Sequence, residues 1–347
     1  MAKSLYQRLS ADERRQVLLK VREHYPYKPF WLEKDVWIVA SLQSLHSAEF
    51  TEFADGLTFK GGTSLSKGFG DLRRFSEDVD VTYDLRSLAP DLVASAGGSA
   101  LPPTRSQERR WRKVLRERIT EWVADRALPL MRKSLAEAGF EAKLHADGQS
   151  LFICYQPIFA PAGIALPEVR IEFGARSTGE PRQRTTIVCE VANHLPEVIF
   201  PQAQLWIMLA ERTFWEKAAA AHVFCKSQRL RGERRSRHWH DLVQLDKMGI
   251  ADQAIARPDI AREVVHHQTI FFAEKDFHGD PIDYEAAFSG YLQLVPNAEA
   301  RTMLAADHAR MLESGMLVGE NESFDELMEH CARLQERINA AQGGTKT

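Results

Sequence analysis

The segment over residues 57–84, LTFKGGTSLSKGFGDLRRFSEDVDVTYD, most constrains how this chain can fold. It predicts a strand, a glycine turn, a short helix and a second strand. The first strand is an apolar run that ends at Gly61 and Gly62, which have no Cβ to block a close approach. Thr63 and Ser64 are good N-cap residues for the helix that follows. The start of that helix would offer free backbone N–H groups to a phosphate.

The second strand carries two acids, Asp78 and Asp80, in an alternating Asp-Val-Asp-Val run. Residues two apart on a strand share a face and lie about 7 Å apart at the backbone, so these carboxylates can converge on one hard cation. Lys60 and Lys67 add positive charge for phosphate groups. A glycine turn or an Asp-x-Asp strand alone is a weak signal, but their order and spacing favour a site for an NTP with Mg²⁺ or Mn²⁺.

The runs KGGTSL at 60–65 and RFSEDVDV at 74–81 together resemble the AbiEii/AbiGii family of nucleotidyltransferase toxins, a branch of the DNA polymerase β-like superfamily. The superfamily motif is Gly-Ser, here Gly62-Thr63, followed at a distance by Asp-x-Asp. The resemblance implies an α+β fold in which helices flank a mixed β-sheet of the nucleotidyltransferase type, with a mostly helical C-terminal half. It also implies transfer of NMP from an NTP to an acceptor hydroxyl.

Three further site residues are implied by the same resemblance. Glu172 lies on the polar face of the alternating run EVRIEFG and is the candidate for a third metal-binding carboxylate and base. Lys217, in the run ERTFWEK, corresponds to a catalytic or nucleotide-contacting lysine. Asp241 corresponds to the acid of an Arg-x-x-Asp-Leu-type motif, although here the preceding residues, RHWH, depart from that pattern.

A basic segment over 226–237 is the best candidate for contacting a nucleic-acid backbone. Its arginines are Arg229, Arg231, Arg234, Arg235 and Arg237. A second basic stretch, over 105–118, is either another such contact or the solvated face of an amphipathic helix. The resemblance implies a toxin that modifies RNA at the tRNA 3′ end and is held in check by a cognate antitoxin. Nothing in the sequence selects the NTP, for which GTP and CTP are candidates.

Three other functions remain open at this point. The acceptor could be a protein, in which case the arginines would not matter for its labelling. It could be a small molecule of the aminoglycoside type, against which the basic stretches count. The chain could also be a nucleotide-binding regulator without catalysis, but Asp78, Asp80 and Glu172 are all present, which ranks this function lowest.

Composition sets outer limits on these functions. The net charge of −3 means that nucleic-acid binding must come from local patches. The four cysteines lie far apart without a CxxC motif, which argues against a zinc ribbon or a disulfide framework and favours the cytoplasm. The N-terminus is too polar for a signal peptide, and no apolar run approaches the ~18 residues of a membrane span.

Periodicity predicts the remaining organisation of the chain. We expect residues 1–200 to form a nucleotidyltransferase domain with N-terminal helices and a central mixed sheet, and residues 201–347 to form a helical domain that completes the active-site cleft. Strands are expected over 140–191 and a helix over 202–224. The charged run Glu33-Lys34-Asp35 lies inside an apolar helix and resembles a recurrent feature of the family; a solvated or N-terminal face is the preferred interpretation, ahead of a direct role in the site.

Overall fold

The computed structural model divides the chain into two compact units. Unit 1 comprises residues 1–71, 75–100 and 109–208, and unit 2 comprises residues 72–74, 101–108 and 209–347. The structure describes residues 4–25, 28–161, 166–229, 234–313, 317 and 322–343.

Unit 1 is built on a mixed sheet. The strands in chain order are β1 (Ser4–Leu5), β2 (Leu57–Lys60), β3 (Val79–Tyr83), β4 (Ala142–Asp147), β5 (Ser150–Tyr155), β6 (Glu168–Gly174), β7 (Arg182–Val188), β8 (Val198–Ile199) and β9 (Gln202–Met208). Seven of them form one sheet in the order β4-β5-β6-β3-β2-β9-β7, and β1 pairs with β8 separately. The pairs β3–β6 and β2–β9 are parallel and the other pairs of the sheet are antiparallel. The expected mixed sheet is therefore confirmed.

Helices flank this sheet in unit 1. The helices before residue 140 are α1 (Ala11–Lys20), α2 (Pro29–Leu45), α3 (Thr51–Ala54), α4 (Gly61–Gly68), α5 (Leu85–Leu88), α6 (Pro90–Ser95), α7 (Arg105–Trp122) and α8 (Leu128–Glu137). A π-helical turn, Val123–Ala127, joins α7 to α8. Helix α2 is buried along nearly its whole length, so it forms the centre of the hydrophobic core of this unit.

The charged run in α2 is not a solvated face, so that interpretation is wrong. Glu33, Lys34 and Asp35 are all buried. Glu33 accepts hydrogen bonds from the backbone N–H groups of Ile158 and Phe159, and Lys34 forms an ion pair with Glu77. Each charge is tolerated because it meets a partner that lies far away in the sequence.

The expected helix over 202–224 is wrong in its first part. Residues 202–208 form β9, which pairs with β7 along its whole length and with β2 on its other side. Its alternate residues Ala203, Leu205 and Ile207 are buried. Pairing on both sides and burial of one face outweigh the good helix propensity of this segment.

Unit 2 is helical in its described part. Its helices are α9 (Ala210–Ser227), α10 (Arg237–Lys247), α11 (Ile250–Ile255), α12 (Pro258–Phe271), α13 (Tyr284–Ala286), α14 (Ala298–Glu313) and α15 (Phe324–Gly343). Buried aromatic residues such as Phe214, Trp215 and Trp239 fill the space between them. The prediction of a helical C-terminal half is confirmed. Among the described helices, none combines the length and the apolar character that crossing a bilayer requires.

Candidate active site

One face of the sheet in unit 1 carries a row of polar residues at a single register. Lys60 on β2 is paired with Asp80 on β3, Asp80 with Glu172 on β6, and Glu172 with Ser150 on β5. Directly paired residues of neighbouring strands project to the same face, so these four side chains form the polar row. The flanking residues, Val79 among them, are buried and hold the strands against the core.

Helix α4 begins beside this row, at Gly61. Gly61 has a positive φ of 81°, and a Cβ built there would lie 2.2 Å from Oδ2 of Asp80. A glycine is therefore required for two reasons, the left-handed backbone and the close approach of the Asp80 carboxylate. The first N–H groups of α4 and a carboxylate of the row consequently lie at the same place.

Thr63 and Ser64 are not N-cap residues as expected, because α4 starts two residues earlier with Lys60 as its N-cap. Both side chains are buried. The Thr63 hydroxyl forms hydrogen bonds with Oγ of Ser76, at 2.7 Å, and with the backbone carbonyl oxygen of Asp78. The Ser64 hydroxyl donates to the carbonyl oxygen of Gly61. These hydroxyls therefore fix the turn and the backbone of Asp78 rather than reach outwards.

The run RFSED before β3 is positioned residue by residue. The ring of Phe75 packs on Trp31 with a centroid distance of 4.5 Å, and Glu77 lies 2.6 Å from the Lys34 ammonium. Together with the bond from Thr63 to the Asp78 carbonyl, these contacts set where β3 begins. Asp78 itself is half-buried and directly precedes the strand. The two acids of the motif thus have a fixed backbone.

Carboxylates of this region have the chemistry of a Mg²⁺ or Mn²⁺ site, because hard cations prefer oxygen ligands. Asp80 is half-buried, and the side chain of Glu172 is 53 % exposed. Glu172 accepts a hydrogen bond from Arg170 at 2.8 Å. Across the described ranges, no three His, Cys, Asp or Glu side chains are gathered closely enough to hold a metal ion. The donors therefore fit such an ion in kind and register, without forming a preassembled cluster.

Lys67, expected to contact a phosphate, lies in a buried ion-pair network instead. Its ammonium pairs with Asp35 and, at 2.8 Å, with Glu190. Burial lowers the pKa of Lys67, but the two carboxylates outweigh this effect, so its pKa is raised above the ordinary value. A cation that already faces two carboxylates is a poor phosphate ligand.

Unit 2 contains a second group of charges, formed by Arg74, Lys217 and Asp241, which we term the buried charge cluster. Arg74 contacts both carboxylate oxygens of Asp241, at 2.5 and 2.8 Å, and the Lys217 ammonium lies 2.7 Å from Oδ2. All three side chains are buried. Burial raises the pKa of Asp241, but the two cations outweigh this, so its pKa lies well below the ordinary range. Burial lowers the pKa of Lys217, and Asp241 opposes this shift.

Arg74 is a residue that the sequence analysis missed. It stands in the same RFSED run as the acids, but its partner Asp241 lies 167 positions away. Arg74 supplies the basic partner of Asp241 that the residues just before Asp241 did not provide. Its place in the RFSED run singled it out, but its burial and its partner are seen only in the structure.

The five arginines of the basic segment have different surroundings. Arg229 and Arg235 are exposed, Arg237 begins α10, and Arg231 lies outside the described residues. The backbone N–H of Arg234 donates to Asp307 at 2.9 Å. Among the described arginines of this segment, Arg229 and Arg235 are therefore the most exposed.

Comparisons with known proteins agree with this reading of the motifs. The sequence profile of the family described as "Nucleotidyl transferase AbiEii toxin, Type IV TA system" matches residues 44–330, well over half of the chain. Comparison with curated protein sequences gave no match.

Two solved structures are similar to this chain at low identity. JHP933 from Helicobacter pylori has 13% identity and a TM-score of 0.42, over 90% of this chain and 94% of that one. MenT4, a nucleotidyltransferase toxin from Mycobacterium tuberculosis H37Rv, has 17% identity and a TM-score of 0.39, over 96% and 99%. With the profile match over residues 44–330 and the motif acids on a mixed sheet, the chain belongs to the AbiEii family of nucleotidyltransferase toxins of type IV toxin–antitoxin systems.

Proposed function

We propose that this nucleotidyltransferase moves NMP from an NTP to a hydroxyl of an RNA acceptor, the tRNA 3′ end, and that it requires a divalent ion. One observation carries the proposal most strongly. Asp80 and Glu172 stand at paired positions of adjacent strands, and Asp80 lies directly beside the start of α4. Two acids next to a helix N-terminus combine the two elements needed to bind a triphosphate with its counter-ion.

Asp78, Asp80 and Glu172 are the residues that would hold Mg²⁺ or Mn²⁺. When bound, the ion supplies positive charge to the triphosphate and to the acceptor oxygen. The Gly61 conformation keeps the Asp80 carboxylate beside α4, and the Thr63 hydroxyl fixes the backbone of Asp78. Glu172 would take the proton of the acceptor hydroxyl as that oxygen attacks the α-phosphorus and pyrophosphate leaves.

The start of α4 is the proposed binding site for the triphosphate. The backbone N–H groups of Gly61, Gly62 and Thr63 belong to the first turn of a helix and have no intrahelical partner, so they suit phosphate oxygens. Lys60, in the polar row next to Asp80, adds a cation there. The hydroxyls of Thr63 and Ser64 and the ammonium of Lys67 take no direct part, since they already bind protein groups.

Lys217 and Asp241 remain proposed site residues of unit 2. Asp241 holds the Lys217 ammonium at 2.7 Å, and Arg74 donates hydrogen bonds to both oxygens of the same carboxylate. A lysine fixed in this way keeps one position, and Asp241 opposes the lowering of its pKa by burial. We propose that it supplies a positive charge during transfer and that Asp241 orients it.

Exposed positive charge supports the proposed RNA acceptor, and membership in the family supports the proposed antitoxin partner. Arg229 and Arg235 are exposed and suit an RNA phosphate backbone. Membership in a type IV toxin–antitoxin family supports a cognate antitoxin. The four cysteines are free thiols, which supports a reducing compartment, the cytoplasm.

The test is incubation of the purified chain with each labelled NTP, total RNA and Mg²⁺, followed by a denaturing gel. We expect label in the tRNA band from the parent. In the Asp80→Asn variant the transfer rate should fall by roughly a thousandfold or more, because a ligand of the ion and the charge beside the triphosphate are lost. The matched control is Asp125→Asn, which changes an exposed acid and should label tRNA at the parental rate.

Two results would contradict the proposal. If Asp80→Asn transfers as fast as Asp125→Asn, the polar row is not the catalytic centre. If label follows protein in every reaction containing RNA, the acceptor is a protein and the RNA part of the proposal is wrong, while the transfer reaction stands.

A further inference from the structure

Unit 2 contains a half-open cavity that none of the motifs explains. Its volume is about 290 Å³, close to the lower end of the range of roughly 300–1,000 Å³ for small-molecule sites. Helices α9, α10 and α12 and the segments next to them supply its walls. The aromatic residues among its lining are Phe224, Trp239, Phe272 and Tyr284. A cavity of this size with flat apolar walls suits one aromatic ring system rather than an extended chain.

The aromatic walls differ in how firmly they are held. Trp239 and Phe224 are buried and meet edge to face at 84°, and Trp239 donates a hydrogen bond to the carbonyl oxygen of Leu294. Phe272 is 36 % exposed, which is unusual for a large apolar side chain in this chain. Trp239 and Phe224 therefore form a firm wall, and the more exposed ring of Phe272, which also contacts His267, offers a surface on which a base can stack.

Two guanidinium groups and one carboxylate, that of Glu274, also line the cavity. Arg229 and Arg235 both line the cavity, and both are exposed. The segment around Arg235 is anchored because Asp307 accepts hydrogen bonds from the backbone N–H groups of Arg234 and Ser236, at 2.9 and 2.8 Å. Arginines at the edge of an aromatic cavity are suited to an anionic group such as phosphate.

His238 provides an independent sign that a polar ligand belongs here. It lines the cavity, and within the described part of the chain neither of its buried ring nitrogens has a hydrogen-bond partner. Burial, together with the nearby Lys217 and Arg237, holds the pKa of His238 well below the ordinary value. The neutral ring offers one donor and one acceptor, the combination that the edge of a nucleobase can satisfy.

We propose that this cavity binds a single nucleotide, with its base between the aromatic rings and its phosphate at Arg229 and Arg235. The same chemistry is presented by a free nucleotide and by one unstacked nucleotide of an RNA strand. The inference goes beyond the proposed reaction, since binding here needs neither a triphosphate nor transfer. All the residues that line the cavity belong to unit 2, whereas the residues of the polar row belong to unit 1.

Nucleotide binding is measured in the presence of a metal chelator, which removes the divalent ion, so that no transfer occurs. The full-length chain is titrated calorimetrically with AMP, GMP, CMP and UMP, and separately with a short unstructured oligoribonucleotide. Loss of a stacking ring lowers affinity by roughly fivefold or more, so Phe272→Ala should weaken binding at least that much. The matched control is Tyr291→Ala, which removes a 69 % exposed ring that does not line the cavity and should leave affinity unchanged.

A second pair of variants tests the proposed contact between arginine and the phosphate of the nucleotide. Arg229→Ala should weaken binding severalfold, whereas Arg262→Ala, which changes an exposed arginine of α12 away from the cavity, should not. Binding of a monophosphate with these differences supports a free nucleotide, and binding of the oligoribonucleotide alone supports one from a strand. Absence of binding to both, or equal effects of Phe272→Ala and Tyr291→Ala, overturns the inference. Because transfer is assayed separately with Mg²⁺ and NTP, that failure would leave the transfer reaction untouched and would count only against Arg229 and Arg235 as contacts for RNA.

Discussion

The polar row of unit 1 and the buried charge cluster of unit 2 use the same residue types in opposite ways. In the row, the carboxylates of Asp80 and Glu172 are neighbours on adjacent strands and are partly open to solvent. Like charges at paired positions destabilise a sheet. In the cluster, the carboxylate of Asp241 lies between two cations, and burial is complete. The row also has its own cations, Lys60 opposite Asp80 and Arg170 beside Glu172, but its carboxylates stay partly open to solvent, whereas the carboxylate of the cluster is buried between its partners.

This contrast shows that an acid in a family motif has one of two roles, stabilising the fold or binding a ligand. Asp80 and Asp241 both stand in motifs, and their sequence surroundings do not tell them apart. Burial and partners distinguish them. Asp241 makes three short contacts with cationic groups and therefore stabilises the fold. Asp80 is half-exposed beside a helix N-terminus and can therefore contact a ligand. Changes in the cluster should therefore act first on stability, and changes in the row first on activity.

The largest effect is expected for Asp241→Asn. The substitution leaves Arg74 and Lys217 buried next to each other without a carboxylate, and removal of one partner of a buried ion pair costs about 3–5 kcal/mol. The free energy of unfolding, measured by denaturant titration of the helical circular dichroism signal, should fall by that amount. Asp325→Asn is the control, because its pair with Arg301 is exposed and contributes under about 1 kcal/mol.

The pH dependence sharpens the same test. The pKa of Asp241 is lower in the folded than in the unfolded chain, so its contribution is complete above the unfolded value of 3.8 and is lost as the pH falls below it. The parent should therefore lose more stability than Asp241→Asn between pH 4 and the lowest pH at which both remain folded. Parallel curves for the two proteins would mean that Asp241 is not held as an anion by its neighbours.

The second effect, on activity, is expected for Gly61→Ala in the row. The Cβ would meet Oδ2 of Asp80 at 2.2 Å, so the carboxylate must move. A displacement of about 1 Å in a catalytic group costs roughly a hundredfold in rate. The left-handed backbone adds about 1–2 kcal/mol of strain. Transfer per folded molecule, measured with labelled NTP, should fall by that factor.

Gly249→Ala isolates the backbone part of this effect. Gly249 has a similar φ of 75°, and a Cβ there would meet nothing within 4 Å. It should lose the same 1–2 kcal/mol of stability and keep the parental rate of transfer. If Gly61→Ala also keeps that rate, the position of Asp80 does not matter for catalysis, and the contrast between the two regions fails.

The sequence was sufficient for features that depend on local chemistry. Alternation placed Val79 and Val81 in the core and the acids on the other face, and the Gly61 turn was read from the residue itself. Prediction from the sequence failed where contacts between residues far apart in the chain determine the structure. Residues 202–208 have helix propensity, yet strand pairing on both sides makes them β9. Their buried alternation at 203, 205 and 207 was visible, but the longer helical pattern that follows masked it.

Charges were hardest to read because their partners are remote. The partners of Lys34 and Arg74 lie 43 and 167 positions away, and no spacing rule connects them. A charged residue in an otherwise apolar helix therefore has two meanings, a solvated face or a buried pair. Only the three-dimensional structure separates them.

The smallest effect on stability is expected for Arg170→Ala. This variant also provides the most specific test of the polar row. Arg170 and Glu172 form an exposed pair at 2.8 Å, so its removal should change the free energy of unfolding by less than about 1 kcal/mol. Removing this cation leaves the Glu172 carboxylate free to attract a divalent ion, so the Mg²⁺ concentration for half-maximal transfer should fall roughly two- to fivefold. Arg184→Ala removes a similarly exposed pair with Asp55 and should leave that concentration unchanged. Equal Mg²⁺ requirements in the two variants would remove Glu172 from the set of ligands and leave Asp78 and Asp80 alone.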